Sequence, residues 1–290
     1  MMTRGLFMTS STATIQARGL HFGEGPRWHD GALYFSDMHA RKVCRWREGE
    51  AVETVATFPG PVSGLGWQPD GTLLVVSMLE KQVLRSDGAG GFTVHADLSA
   101  LVPERCNDMV VDAAGGAYVG NFGFDLHGGG APASTVLCYV PPEGGRAGVA
   151  AEDLAFPNGT VITPDGKTLI IGESMGRRLT AFTIAAPGLL TERRVFAEFP
   201  EGRLPDGICL DTAGGVWAAS PTGNECLRLE AGGQVTHRVT VSQGAYACML
   251  GGPGEQTLYV LTAADSDPSA RAGTGCIEAA PAPYPRAGLP

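Results

Sequence analysis

One strand-turn-strand pattern recurs six times along the 290 residues, and an array of that kind leaves little choice of fold. Its clearest copy runs from Asn158 to Ser174, with two β-rich stretches joined at Pro164-Asp165-Gly166. Turn residues of this type between β-rich runs predict a hairpin. The stretches from Asp206 to Ser220 and from Asn107 to Gly120 repeat it, and weaker copies begin at Glu24, Ser63 and near Ala247. The starts are about 40–50 residues apart, the spacing of four-stranded propeller blades. Each interval holds two further strands, such as Arg178 to Ile184 and Arg194 to Ala197 after the fourth start. The chain is therefore expected to be all-β, a six-bladed β-propeller with four-stranded blades in one domain spanning 1–290. The alternating residues Ala13 to Ala17 have no place in the first repeat. They are expected to add a strand to the last blade and so remove a free sheet edge. Residues 1–11 and the Pro-rich 281–290 read as tails.

Composition agrees and narrows the function. Forty-two glycines and 20 prolines without a triplet period suit many short turns. A net charge of −9, with 21 scattered Lys and Arg, excludes nucleic acid as the expected partner. No apolar run approaches the ~18 residues of a membrane span, and Met1 to Phe7 lacks the apolar stretch of a signal peptide. Seven cysteines without CxxC spacing suit a reducing cytosol, so a cytoplasmic protein is expected. Separately, a monomer is expected.

Aligning the six copies on their first residue gives Glu24, Ser63, Asn107, Asn158, Asp206 and Ala247. Rotation about a propeller axis brings equivalent positions together, so these residues should converge at one end of the channel. Four of them carry a side-chain oxygen where mere core filling would call for an apolar residue. Asn158-Gly159 or Asp206-Gly207 alone is as readily a turn, but the shared register must then arise by chance four times. Two carboxylates and two carboxamides around one axis call for a hard divalent cation, Ca²⁺ first, with Mn²⁺, Fe²⁺ or Zn²⁺ as alternatives. The six histidines show no ligand spacing, although His127 lies in a Gly-rich loop. Ser174 and Ser220 lack the elbow of a serine hydrolase. Trp28, Trp67 and Trp217 recur at equivalent places and read as packing between blades.

These windows resemble the SMP-30/gluconolactonase/luciferin-regenerating-enzyme family. The resemblance rests on Gly23 to Trp28, Arg105-Cys106-Asn107-Asp108, Phe156-Pro157-Asn158-Gly159 with Pro164 to Leu169, and Pro205-Asp206-Gly207, and covers roughly residues 12–280. It implies a catalytic divalent ion on the axis, with Glu24, Asn158 and Asp206 as ligands. Asn107 would complete the site or hold substrate, and Arg105 would bond substrate oxygens. The implied chemistry is hydrolysis of a lactone, often a sugar lactone, with Asp206 as the base toward water and Asp108 or Asp125 as alternatives. Many sugar-lactone members carry Gly-Thr-Met and then an acid after the third repeat. This chain instead has Gly120 to His127, with Asn121, Phe122 and Phe124. Asn121 and Phe124 are thus candidate substrate contacts at a more apolar mouth, one suited to a hydrophobic or aromatic lactone or another ester. The same site could serve phosphotriester hydrolysis, and a metal-stabilised propeller could also bind a ligand without catalysis.

Overall fold

The structure, a computed structural model, describes residues 8–269 and 272–290. The reading of Met1 to Phe7 as no leader lies outside the described residues. The innermost strands of the six sheets are Gly23–His29, Val62–Trp67, Cys106–Val111, Pro157–Ile162, Ile208–Asp211 and Gly244–Gly251. Each begins at or within three residues of a repeat start read from the sequence. Each packs on the next, and the sixth packs on the first, so the ring closes. Among the described residues there is no α-helix, so nothing present is a helix long and apolar enough to cross a membrane.

Each blade is a meander of four antiparallel strands, as in the fourth: Pro157–Ile162, Thr168–Glu173, Arg178–Ala186 and Leu189–Glu198. The first hairpin of that blade turns at Asp165. Its carboxylate accepts from Thr163 Oγ1 at 2.6 Å and from the Lys167 amide at 3.1 Å, while Gly166 takes φ +69°. Asp112 and Asp211 close the corresponding hairpins of the third and fifth blades by accepting two backbone N–H groups each. These short aspartate turns are the local reason that the pattern is readable.

The ring is sealed as expected by Thr14–Leu20, which pairs antiparallel with Gly275–Pro281 as the outer strand of the last blade. Two blades hold more than four strands. Gly145–Arg146 adds in parallel to Phe92–Asp97 in the second blade. In the fifth, Thr9–Thr12 adds in parallel to Val235–Thr240, and Arg286–Ala287 pairs with Leu210–Asp211 of the inner strand. Arg286–Ala287 and all but Thr12 of Thr9–Thr12 come from residues read above as tails. Between blades, Trp28 stacks on Tyr259 of the sixth at 5.6 Å, and Trp67 of the second stacks on His29 of the first at 4.0 Å. Trp217 is buried in the cluster joining the fifth and sixth blades.

The C-terminal segment straps the ends of the inner strands farthest from the repeat starts. Pro285 accepts from the Thr212 amide at 2.9 Å, and Leu289 exchanges two backbone hydrogen bonds with Ile162 at 2.8 and 2.9 Å. The Tyr284 ring lies 4.9 Å from the buried Arg228 guanidinium, which is paired with Asp211 at 2.6 Å. Deleting residues 283–290 would uncover that ion pair and strip the fifth blade of a strand. The truncated protein is expected to fold but to melt roughly 5 °C lower in a thermal circular-dichroism scan.

Candidate active site

The site is built where the six inner strands begin. The pairing register slips at Glu24/Arg27, Val62/Leu65, Cys106/Met109, Pro157/Thr160 and Ala245/Ala247, so five of the six inner strands carry a bulge at the same end. Asp206 stands just before the remaining one, the fifth inner strand Ile208–Asp211. A bulge re-aims the side chains beside it and commonly borders a functional site. The glycines that follow the repeat starts permit the convergence. A Cβ on Gly64 would lie 2.4 Å from the Met109 nitrogen, one on Gly159 2.4 Å from the Ile208 nitrogen, and one on Gly207 2.7 Å from the Ala247 Cα. Asn158-Gly159 and Asp206-Gly207 are therefore places where one inner strand presses on the next, and not hairpin turns.

Glu24, Asn107, Asn158 and Asp206 line one cavity of about 210 Å³, with exposures of 6, 4, 4 and 8%. The Asn158 amide is set by its Nδ2 donating to Ser174 Oγ at 3.1 Å. Glu24 Oε2 accepts only a long bond, 3.2 Å, from the Gly25 amide. Asp206 Oδ1 and Asn107 Nδ2 are buried with no hydrogen-bond partner. Burial, then the neighbouring Asp206 and Asp108 carboxylates, pushes Glu24 well above the usual carboxylate range. Burial also pushes Asp206 up to about 8, with Asp108 adding to the rise and the Asn158 side chain opposing it.

One cation sits beneath these acids, and it is already committed. Arg27 is buried, donates Nε to the Leu65 carbonyl at 2.8 Å and pairs through Nη2 with Asp108 at 2.7 Å. That guanidinium ties the first three blades together and neutralises Asp108. Glu24 and Asp206 remain as an unbalanced pair. An orphaned carboxylate oxygen, two raised acids and two carboxamides match the oxygen-rich, dianionic donor set that a hard divalent ion requires. No three His, Cys, Asp or Glu side chains cluster as a metal site among the described residues; the donor set depends on its asparagines.

The other expected site residues fall in different places. Arg105 is not in the cavity wall, but its guanidinium lies 5.5 Å from the centre of the Phe122 ring, and its buried Nε has no partner. Phe124 stands behind the wall, 5.9 Å edge-on from Phe156. The structure does not bring Asn121 to the cavity. Its Nδ2 donates to the Val136 carbonyl and its Oδ1 accepts from Thr135 Oγ1, both at 2.7 Å. The alternative bases are occupied too: Asp108 by Arg27, and the exposed Asp125 by the Gly128 amide at 2.9 Å. His127 does reach the wall, as its loop position suggested. Sequence reasoning missed Tyr246, Phe22 and the orienting role of Ser174. A signal existed for Phe22, two residues before Glu24, and none for Tyr246, which falls one residue short of a repeat start.

The sequence model of the SMP-30/Gluconolactonase/LRE-like region matches residues 22–264, and the chain belongs to that family. It is 28% identical over 262 residues to a pentonolactonase from Haloferax volcanii, covering 87% of this chain and 85% of the relative. Among solved structures, a gluconolactonase from Xanthomonas campestris is similar, with a TM-score of 0.76 and 25% identity over 96% of this chain and 89% of its own. A regucalcin from Agrobacterium tumefaciens, described as a calcium-binding protein, shares the fold with a TM-score of 0.78 at 19% identity, covering 97% of both chains.

The unbalanced pair has a consequence for stability that activity does not enter. In chelator-treated protein at pH 7, Asp206→Asn replaces a carboxyl that folding must hold neutral although it ionises freely in the unfolded chain, and is expected to stabilise by roughly 1–2 kcal/mol in denaturant titration. Added divalent cation should stabilise the wild type and leave the variant unmoved; an Asp206→Asn protein less stable than chelated wild type would contradict this account.

Proposed function

We propose that the protein is a metal-dependent lactonase, opening a cyclic ester at the end of the channel where the inner strands begin. The observation that carries this reading is the buried, unbalanced Glu24–Asp206 pair beside two carboxamides at the floor of a cavity. The pentonolactonase and gluconolactonase likenesses support it. Glu24, Asn158 and Asp206 would hold the ion, with Asn107 beside them. Oxygen-only ligation favours Ca²⁺, with Mn²⁺, Fe²⁺ and Zn²⁺ as alternatives. When bound, such an ion polarises the ester carbonyl and makes nearby water more acidic.

The chain's own residues supply the rest. Asp206 accepts the proton of the attacking water through its unpartnered Oδ1. Asn107 Nδ2, a buried donor without a partner, donates to the ester oxygen on which negative charge develops. Tyr246, whose hydroxyl burial pushes up to about 12, keeps its proton and remains a donor in the same cavity. Arg105, held over the Phe122 ring behind the wall, would reach substrate oxygens only by swinging past that ring, and Phe124 backs the wall behind Phe156. Asn121 acts at one remove, tethering the strand end that carries Phe122 and Phe124.

The test is hydrolysis of a lactone panel by protein stripped with chelator and reloaded with Ca²⁺, Mn²⁺, Fe²⁺ or Zn²⁺. Activity should vanish on stripping and return with one of the ions. In the reloaded enzyme, Asp206→Asn and Glu24→Gln should each lower kcat/KM by about 10³-fold or more, and Asn107→Ala by about 10²-fold. Folded, reloaded protein with no lactone turnover would sink the reading.

A further inference from the structure

We propose that the ring this site takes is a flat, apolar lactone, aromatic-fused, rather than a polyhydroxylated sugar lactone; the proposal rests on the lactonase reading above. Its basis is the shape and chemistry of the cavity wall above the acids and amides. On the side of the first and sixth blades stand Phe22, Met38 and Tyr246, with Phe22 edge-on to Tyr246 at 4.6 Å. On the side of the third and fourth blades stand Phe122 and Phe156, with centres 4.6 Å apart and planes 30° apart. In a six-bladed ring the first blade lies opposite the fourth and the third opposite the sixth, so the two aromatic walls face each other across the axis. Phe22, Met38, Phe122 and Phe156 belong to one buried apolar cluster that borders the cavity, so an apolar ring entering there gains by aromatic contact and by leaving water.

Hydroxyl groups would find little there. Outside Glu24, Asn107, Asn158 and Asp206, the polar lining residues are His127, Ser174, Tyr246 and Ser266. Ser174 is held by Asn158, and the single Tyr246 hydroxyl, which can donate to one oxygen, does not serve several hydroxyls at once. Asp125, the acid nearest in sequence to the apolar mouth, is turned outward to close its own loop. The side chains that the loop sends to the wall are Phe122, Leu126 and His127. Several hydroxyls of a sugar lactone would therefore lose water without gaining partners, and a site built that way discriminates strongly against them.

Backbone strain marks the same wall. Phe156 has φ +63° and is the only apolar side chain among the described non-glycine residues with positive φ. A bulky residue is unfavourable there, and such strain persists where the surrounding structure enforces it. In this case it turns a ring into the cavity two residues before Asn158, a residue of the acid-and-amide set.

The experiment compares metal-loaded protein on dihydrocoumarin, gluconolactone and a pentonolactone. The expected result is a kcat/KM for dihydrocoumarin at least about 100-fold above either sugar lactone. Phe156→Asn, which suits the positive φ, should narrow that preference about 10-fold in protein shown by circular dichroism to remain folded, although the lost burial lowers its melting temperature. Leu126→Ser, at a half-buried loop position, should narrow it in the same direction. Direct binding gives a readout independent of turnover: the unreactive lactam analogue of dihydrocoumarin should bind saturably to wild type and more weakly to Phe156→Asn. Equal or faster turnover of the sugar lactones would overturn the proposal and leave the lactonase reading standing. Turnover of none of the three, from folded and metal-loaded protein, would overturn both, and a lactam that fails to bind would overturn the proposal alone.

Discussion

Two carboxylates that repel each other lie buried at the axis, and much of the architecture can be understood as the means of keeping them there. Glu24 and Asp206 come from the first and fifth blades, so neither could approach the other without the ring between them. Desolvation pushes both toward their neutral forms, with the Asp206 carboxylate adding to the rise of Glu24 and Asp108 adding to the rise of each. A chain free to relax would separate them. The closed ring forbids it, because moving either acid outward means moving an inner strand clamped on both sides by neighbours. Closure itself rests on Thr14–Leu20 in the last blade, more than 250 residues from its partner Gly275–Pro281 in sequence.

The three buried acids near the axis have been given different tasks by their surroundings. Asp108 adjoins Asn107 in sequence, yet its charge is absorbed by Arg27, and the ion pair works as a tie among the first three blades. Glu24 and Asp206 have no such partner. Removing the Arg27 tie would add a third unbalanced carboxylate to the same small volume. The structural cation beneath the site is thus a condition for the two acids above it to remain available to a ligand.

How much of this could be read in advance follows from whether a feature is local. The blades were legible because each carries its own Asp- or Gly-containing turn and its own alternation, as at Asp165 and Asp211. The four oxygen-bearing positions were legible because rotation about an axis turns equal register into proximity. The glycines beside them were visible but ambiguous: sequence allows a turn at Asn158-Gly159, and only the neighbouring strand reveals that the missing Cβ makes room for Ile208. Features created by distant pairings were hidden. Nothing near Arg27 announces Asp108, nothing near Leu289 announces Ile162, and most of Thr9–Thr12 looked like a tail because its partner, Val235–Thr240, begins more than 220 residues later. Asn121 misled for the same reason, since the groups that occupy its amide, Thr135 and Val136, lie across a glycine-rich loop.

The apolar wall and the charged floor are also coupled physically. Aromatic side chains above the acids exclude water, and excluding water strengthens each electrostatic interaction below them. The desolvation that raises Glu24 and Asp206 would therefore also strengthen their hold on a divalent ion, and the hydrogen bond from Asn107 to a developing negative charge. A wall made of hydroxyls and water would accept sugars more readily and would weaken both effects. Under the proposed chemistry, the phenylalanines thus bear on the strength of the catalytic groups as well as on which ring enters, and the two properties cannot be altered independently by substitution at Phe122 or Phe156.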